Sequence, residues 1–151
     1  MEYLAIPSPF GALTLFADNE ALIVLDWGRG GEGGAETPLL VEAAGQLAAY
    51  FDGKLTAFDL PMAPQGTDFQ MRVWQAMQAI PYGETRSYAD IARDLGSAPR
   101  AVGGACGRNP LPILIPCHRV VGAGGKLTGY SGGEGVETKE ALLRLEGLLD
   151  D

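Results

Sequence analysis

At 151 residues, 46% hydrophobic and 20% charged, the chain has the composition of one ordinary domain, or two small ones, with a buried core. No stretch nears the roughly 18–20 apolar residues of a membrane span, and the start at Met1-Glu2-Tyr3 has neither region of a secretory signal. The net charge of −8 argues at first sight against a nucleic-acid partner.

Residues 2–27 read as short strands: Leu13 and Leu15 alternate around Thr14, and Ala21–Leu25 follows a turn at Asp18-Asn19. Gly28–Ala35 is a glycine-dense acidic loop, and it lacks the Lys-Ser/Thr and following helix of a phosphate cradle. Pro38 to Phe51 has helical spacing, with Thr37 as N-cap and Asp52-Gly53 at its end. The passage Pro61 to Gly66 then reads as a linker. It divides the chain into residues 1–66, a small α/β domain with an antiparallel sheet, and residues 67–151, a helical domain.

In the second half, Thr67 or Asp68 caps a helix carrying Phe69, Val73, Trp74 and Met77, stopped near Pro81-Tyr82-Gly83. Ser87 and Asp90 have the spacing of a capping box, although Asp is shorter than the usual Glu or Gln. The helix they open closes at Gly96, and Pro99 starts another that runs to about Arg108. Helix, short glycine turn, helix is a helix-turn-helix signature. A last amphipathic helix spans about Glu137 to Leu148. The fold class is α+β, with a winged-helix-like element in the second domain.

The acidity belongs to one half. Residues 1–68 carry ten acidic and two basic side chains, whereas residues 69–151 carry nine of each. Within 86–119, five arginines face two aspartates. A modest basic face on a neutral domain is compatible with DNA, with a small phosphate contribution. The helix Arg100–Arg108 is almost bare of bulk, and its adjacent Gly103 and Gly104 cost ~1 kcal/mol each in a helix interior. Either the helix packs closely on a neighbour, or its backbone approaches an outside surface such as a DNA groove.

Cys117 lies in an apolar run, Ile113-Leu114-Ile115 before and Val120-Val121 after. Burial alone favours an inert core thiol. The adjacent His118 and Arg119 favour a thiolate nucleophile, since nearby positive charge lowers a thiol pKa. Glu146 on the last helix is the candidate to orient His118. Two cysteines are too few for a disulfide framework, which points to a reducing cytoplasm. With one histidine they are also thin material for zinc, so no metal is expected. Cys106, Trp27 and Trp74 read as packing residues.

The stretch Asn109-Pro110-Leu111-Pro112-Ile113-Leu114-Ile115-Pro116-Cys117-His118-Arg119-Val120-Val121 resembles the active-site signature of the O6-alkylguanine-DNA alkyltransferases, or methylated-DNA–protein-cysteine methyltransferases. The likeness extends upstream through Pro81–Glu84, Ser87-Tyr88 and Arg100–Gly104, and downstream through Gly129–Gly133, Lys139–Leu143 and Glu146-Gly147. It covers residues 67–147 strongly and the first half in layout only, where it implies a ribonuclease H-like domain. Two departures stand out: Glu134-Gly135 is an insertion that adds negative charge beside the pocket, and Ala141 replaces a residue that is often Trp.

The resemblance implies roles. Cys117 accepts the alkyl group, His118 activates it through a water, Glu146 orients His118, and Asn109 organises the turn. Tyr88 crowds the target phosphate and donates to the base, and Arg100 fills the gap left by a flipped nucleotide. The small helix with Ala101, Gly103 and Gly104 lies in the minor groove. Tyr130 and Ser131 line the pocket, and the carbonyls of Cys117 and Val120 read the exocyclic amine. It further implies single-turnover transfer from O6-alkylguanine, and from O4-alkylthymine, in double-stranded DNA by a cytoplasmic monomer without a cofactor. Three readings compete: a relative that binds alkylated bases without repair, a helix-turn-helix regulator without chemistry, and a cysteine hydrolase. The acceptor cysteine opposes the first, the Cys-His pair the second, and the lack of an oxyanion motif the third.

Overall fold

A computed structural model of the chain describes residues 1–28, 34–127 and 135–148. The chain forms two compact units, Met1–Gln65 and Gly66–Asp151.

In the first unit, β1 (Glu2–Ile6), β2 (Leu13–Asp18) and β3 (Ala21–Trp27) form an antiparallel sheet in chain order. The β2–β3 turn places Asn19 and Glu20 at φ 49° and 63°, the two positive-φ positions of a tight hairpin. Leu13 and Leu15 face the core as expected, but Thr14 between them is buried too. Its hydroxyl donates to the carbonyl of Gly28 at 2.7 Å, which satisfies a polar group removed from water. Helix α1 (Pro38–Phe51) buries Leu40, Ala43, Leu47 and Tyr50 and is capped by Thr37.

The second unit is helical. Thr67 caps α2 (Asp68–Gln78) in a full capping box with Gln70, and α2 buries Val73, Trp74 and Met77. The Trp74 indole donates to the carbonyl of Ala105 at 2.9 Å, tying α2 to α4. A two-residue strand β4 (Arg86–Ser87) leads into α3 (Tyr88–Leu95), whose Ser87–Asp90 capping box is complete in spite of the shorter Asp side chain. Gly96, at φ 65° and ψ 38°, turns the chain out of α3. Pro99 opens α4 (Pro99–Gly107), which completes the helix-turn-helix.

Next come a single 3-10 turn, Cys117–Arg119, and β5 (Val120–Val121), which pairs in parallel with β4. That pairing, Arg86 with Val120 and Ser87 with Val121, brings the start of α3 beside the Cys117 turn. The last helix, α5, spans Val136–Leu145 and ends sooner than the periodicity suggests. Gly147 at φ 83° reverses the chain, and bonds from Leu148 N to Leu143 O and from Gly147 N to Arg144 O close a Schellman-type cap. Glu146 is therefore the C-cap residue of α5. No described helix is long and apolar enough to cross a membrane.

Candidate active site

The turn that presents Cys117 is held from inside. Asn109 donates through Nδ2 to the carbonyl of Ile115 at 2.8 Å and accepts from the Leu111 N–H at 2.9 Å. Ile113 is held at φ 73° although 1% exposed, a costly conformation for a β-branched residue. Pro116, at φ −80° and ψ 69°, has inverse γ-turn geometry, and the Cys117 N–H donates to Ile115 O at 2.8 Å. Cys117 thus opens the 3-10 turn, 8% exposed and outside any disulfide.

His118 is fully buried, and its Nε2 lies 2.7 Å from Glu146 Oε2. With Glu146 as acceptor, Nε2 carries the proton and Nδ1 holds a lone pair. Nδ1 is buried and has no hydrogen-bond partner among the described residues. Burial pushes the His118 pKa down; Glu146 opposes the shift, while Arg119 and Lys139 add to it. The structure thus brings together Cys117, His118, Glu146 and Asn109 around one turn.

Arg119 bonds Glu146 through Nε at 2.9 Å and Nη2 at 3.1 Å, and the carbonyl of Ile80 through Nη1 at 2.6 Å. A cation electrostatically coupled to Cys117 is Lys139, which sequence reasoning passed over. Lys139 is fully buried on α5 and donates to the Val120 carbonyl at 2.6 Å and the Tyr88 hydroxyl at 3.5 Å. Its signal was present: Lys139, Leu142, Leu143 and Glu146 follow the i, i+3, i+4, i+7 spacing of one helix face. Two charged residues on an apolar stripe mark a site rather than a surface.

Tyr88 is half-buried at the first position of α3, with Lys139 5.7 Å from its ring centre. Its phenol pKa is pushed up to about 12, first by burial and then by Cys106 and Cys117, so it remains a proton-bearing donor at neutral pH. Both carbonyls expected to read a base already accept one hydrogen bond. That of Cys117 takes the Val120 N–H, and that of Val120 takes Lys139; a carbonyl has a second lone pair for a further donor.

On α4, Arg100 and Ala101 are exposed. A Cβ placed on Gly103, Gly104 or Gly107 meets nothing within 4 Å, so close packing does not explain these glycines and the helix presents bare backbone outward. Arg86 is paired with Asp94, Arg93 with Asp90, and Arg119 with Glu146. Arg100 and Arg108, both exposed on α4 or at its end, are in no ion pair among the described residues, while Arg93 is exposed but paired. Cys106 lies beneath the helix, 7% exposed, with its sulfur 3.4 Å from that of Met77. Tyr130, Ser131 and Glu134 lie outside the described residues.

Two family models match the chain: the 6-O-methylguanine DNA methyltransferase ribonuclease-like domain over residues 1–64, and the DNA binding domain of the same family over residues 68–148. The methylated-DNA–protein-cysteine methyltransferase of Methanosarcina acetivorans is 47% identical, with 97% of this chain and 99% of that protein covered. Its counterpart in Mycobacterium tuberculosis (strain H37Rv) is 48% identical over 97% and 92% of the two chains. A crystal structure of Mycobacterium tuberculosis OGT in complex with DNA superposes with a TM-score of 0.83 at 51% identity, covering 95% of this chain and 91% of that one.

Proposed function

Since the chain belongs to the 6-O-methylguanine DNA methyltransferase family of DNA-repair proteins, we propose that Cys117 takes the alkyl group from O6-alkylguanine in double-stranded DNA, once per molecule. The observation that carries this reading is the buried 2.7 Å bond between His118 Nε2 and Glu146 Oε2. It leaves the imidazole Nδ1 as a base one residue from the thiol.

The steps follow from the chemistry. A water relays the Cys117 proton to His118 Nδ1, with Glu146 fixing the tautomer. The thiolate attacks the alkyl carbon; the C–S bond forms as the C–O6 bond breaks, and the electron pair leaves on guanine. Tyr88 steadies the departing base by donating from its hydroxyl. The Cys117 and Val120 carbonyls take the exocyclic amine. The resulting thioether is chemically stable, and no group among the described residues removes the alkyl, so turnover stops after one event. O4-alkylthymine offers the same alkyl–oxygen bond and is a second substrate.

A stacked nucleotide keeps its O6 away from a buried sulfur, so the target rotates out of the duplex. In this reading α4 lies in the minor groove, where Ala101, Gly103 and Gly104 permit close approach, and Arg100 occupies the vacated stack. The protein acts as a cytoplasmic monomer with no cofactor.

Incubation with a duplex containing O6-methylguanine, followed by intact-mass and peptide analysis, tests the reading. One added methyl on Cys117 is expected, and none in Cys117→Ser. Folded protein that acquires no methyl overturns it.

A further inference from the structure

Glu146 has more donors than the orientation of a histidine requires. Its side chain is fully buried and accepts from His118 Nε2 at 2.7 Å, Arg119 Nε at 2.9 Å, Arg119 Nη2 at 3.1 Å and the Gly83 N–H at 3.3 Å. The guanidinium grips both carboxylate oxygens, the strong two-point geometry of an arginine–carboxylate pair. The remaining Arg119 contacts fix it in place: Nη1 donates to Ile80 O at 2.6 Å, and the ring of Tyr82 lies 5.8 Å from the guanidinium carbon. Tyr82 is itself tied to the C-terminal turn of α5 through the carbonyl of Leu145 at 3.2 Å.

The geometry points to Arg119 as a positioning residue that sets the resting charge of the Cys117 site. By matching the charge of Glu146, it leaves His118 a neutral imidazole whose Nδ1 is open to a proton. This deepens the proposed alkyl-acceptor reading and depends on it only for its catalytic consequence.

Among the described residues, three charged groups act on His118. Glu146 and Lys139 come from α5 and its C-cap, and Arg119 from the same 3-10 turn, while α2 turns Val73, Trp74 and Met77 to the interior. With a neutral imidazole, the charges of Arg119 and Glu146 cancel. A protonated imidazole adds a further positive charge to an interior that already holds Arg119 and Lys139, where charge burial is costly. The direction of the His118 shift agrees: burial lowers it most, and Arg119 and Lys139 lower it further against the pull of Glu146. Without Arg119, the carboxylate would stabilise an imidazolium, as the acid of a catalytic triad does. His118 would then hold a proton before the thiol gave one up.

The chain contains one histidine, so imidazole 15N resonances report His118 without assignment by mutation. In the wild type, a neutral ring protonated on Nε2 is expected from about pH 6 to 8. A positively charged ring in that range overturns the proposal with no variant needed. In Arg119→Met, the pH at which the ring gains its proton rises by at least one unit, a tenfold gain in proton affinity. Arg119→Lys, which keeps the charge, moves back toward wild type. A folded Arg119→Met protein with an unchanged titration and tautomer overturns the proposal. Failure of methyl transfer to Cys117 would instead strike the acceptor reading and leave the imidazole result standing.

Discussion

The ammonium of Lys139 lies 2.6 Å from the carbonyl oxygen of Val120, three residues beyond Cys117, on a side chain with no solvent exposure. Burial pushes its pKa below the ordinary lysine value, and Cys117 and then Cys106 pull it back. The coupling is mutual: a cation raised by a nearby thiolate stabilises that thiolate equally. Lys139→Met keeps the length of the side chain and removes the charge. The midpoint pH for alkylation of Cys117 by iodoacetamide, read on its own peptide, should rise by about one unit or more. An unchanged midpoint in a folded variant would reduce Lys139 to an anchor for the Val120 carbonyl.

What could be read from the sequence was local. Thr37, Ser87, Gly96 and Pro99 each act within a turn of their own position, so a cap or a breaker declares itself by spacing. The Lys139 partners lie 19 and 51 residues away and those of Arg119 lie 27 and 39 away. Periodicity can mark such a residue as buried, but the pairing is decided by the β4–β5 contact and the cap at Gly147. Adjacency does not reveal the partners of Arg119, because a 3-10 turn advances its side chains by about a third of a revolution per residue. That step separates the neighbours His118 and Arg119 around the turn, and both meet again at Glu146.

The glycines of α4 invite a test that separates packing from recognition. Gly104 is exposed, and a Cβ there meets nothing within 4 Å. Gly104→Ala should therefore stabilise the free protein by roughly 0.5–1 kcal/mol through helix propensity and raise Tm by a few degrees in calorimetry. If α4 enters a groove, the same methyl group weakens binding to a duplex, measured by fluorescence anisotropy at fixed salt. Higher Tm with undiminished affinity would remove α4 from the contact surface.

Arg100, exposed in the first turn of α4, has no part in the bonds around Cys117. Arg100→Ala should slow transfer from a duplex O6-methylguanine by about tenfold or more, the scale of losing one to a few kcal/mol of stacking, and leave reaction with the free alkylated base nearly unchanged. Single-turnover rates with the two substrates make the comparison. Equal slowing would assign Arg100 to the fold.

Cys106 governs an alkaline limb of stability. Its thiol is pushed from 9.0 up to about 12, chiefly by burial and then by Cys117, with Lys139 opposing. A pKa raised by folding means that the unfolded chain releases its proton first. The contribution is whole below pH 9.0 and lost as pH climbs toward about 12, at a limiting slope of about 1.4 kcal/mol per pH unit for one proton. Tyr88, raised from 10.0 to about 12, adds a second loss of the same sign that starts one unit higher. Cys106→Val keeps an apolar group against Met77 and has nothing to ionise. Urea unfolding at pH 8, 9, 10 and 11 should show wild-type stability falling between 9 and 10 while the variant stays nearly level, and both falling above 10. Parallel curves for the two proteins across that first interval would mean that the Cys106 thiolate is tolerated where it sits, beneath the helix and beside Cys117.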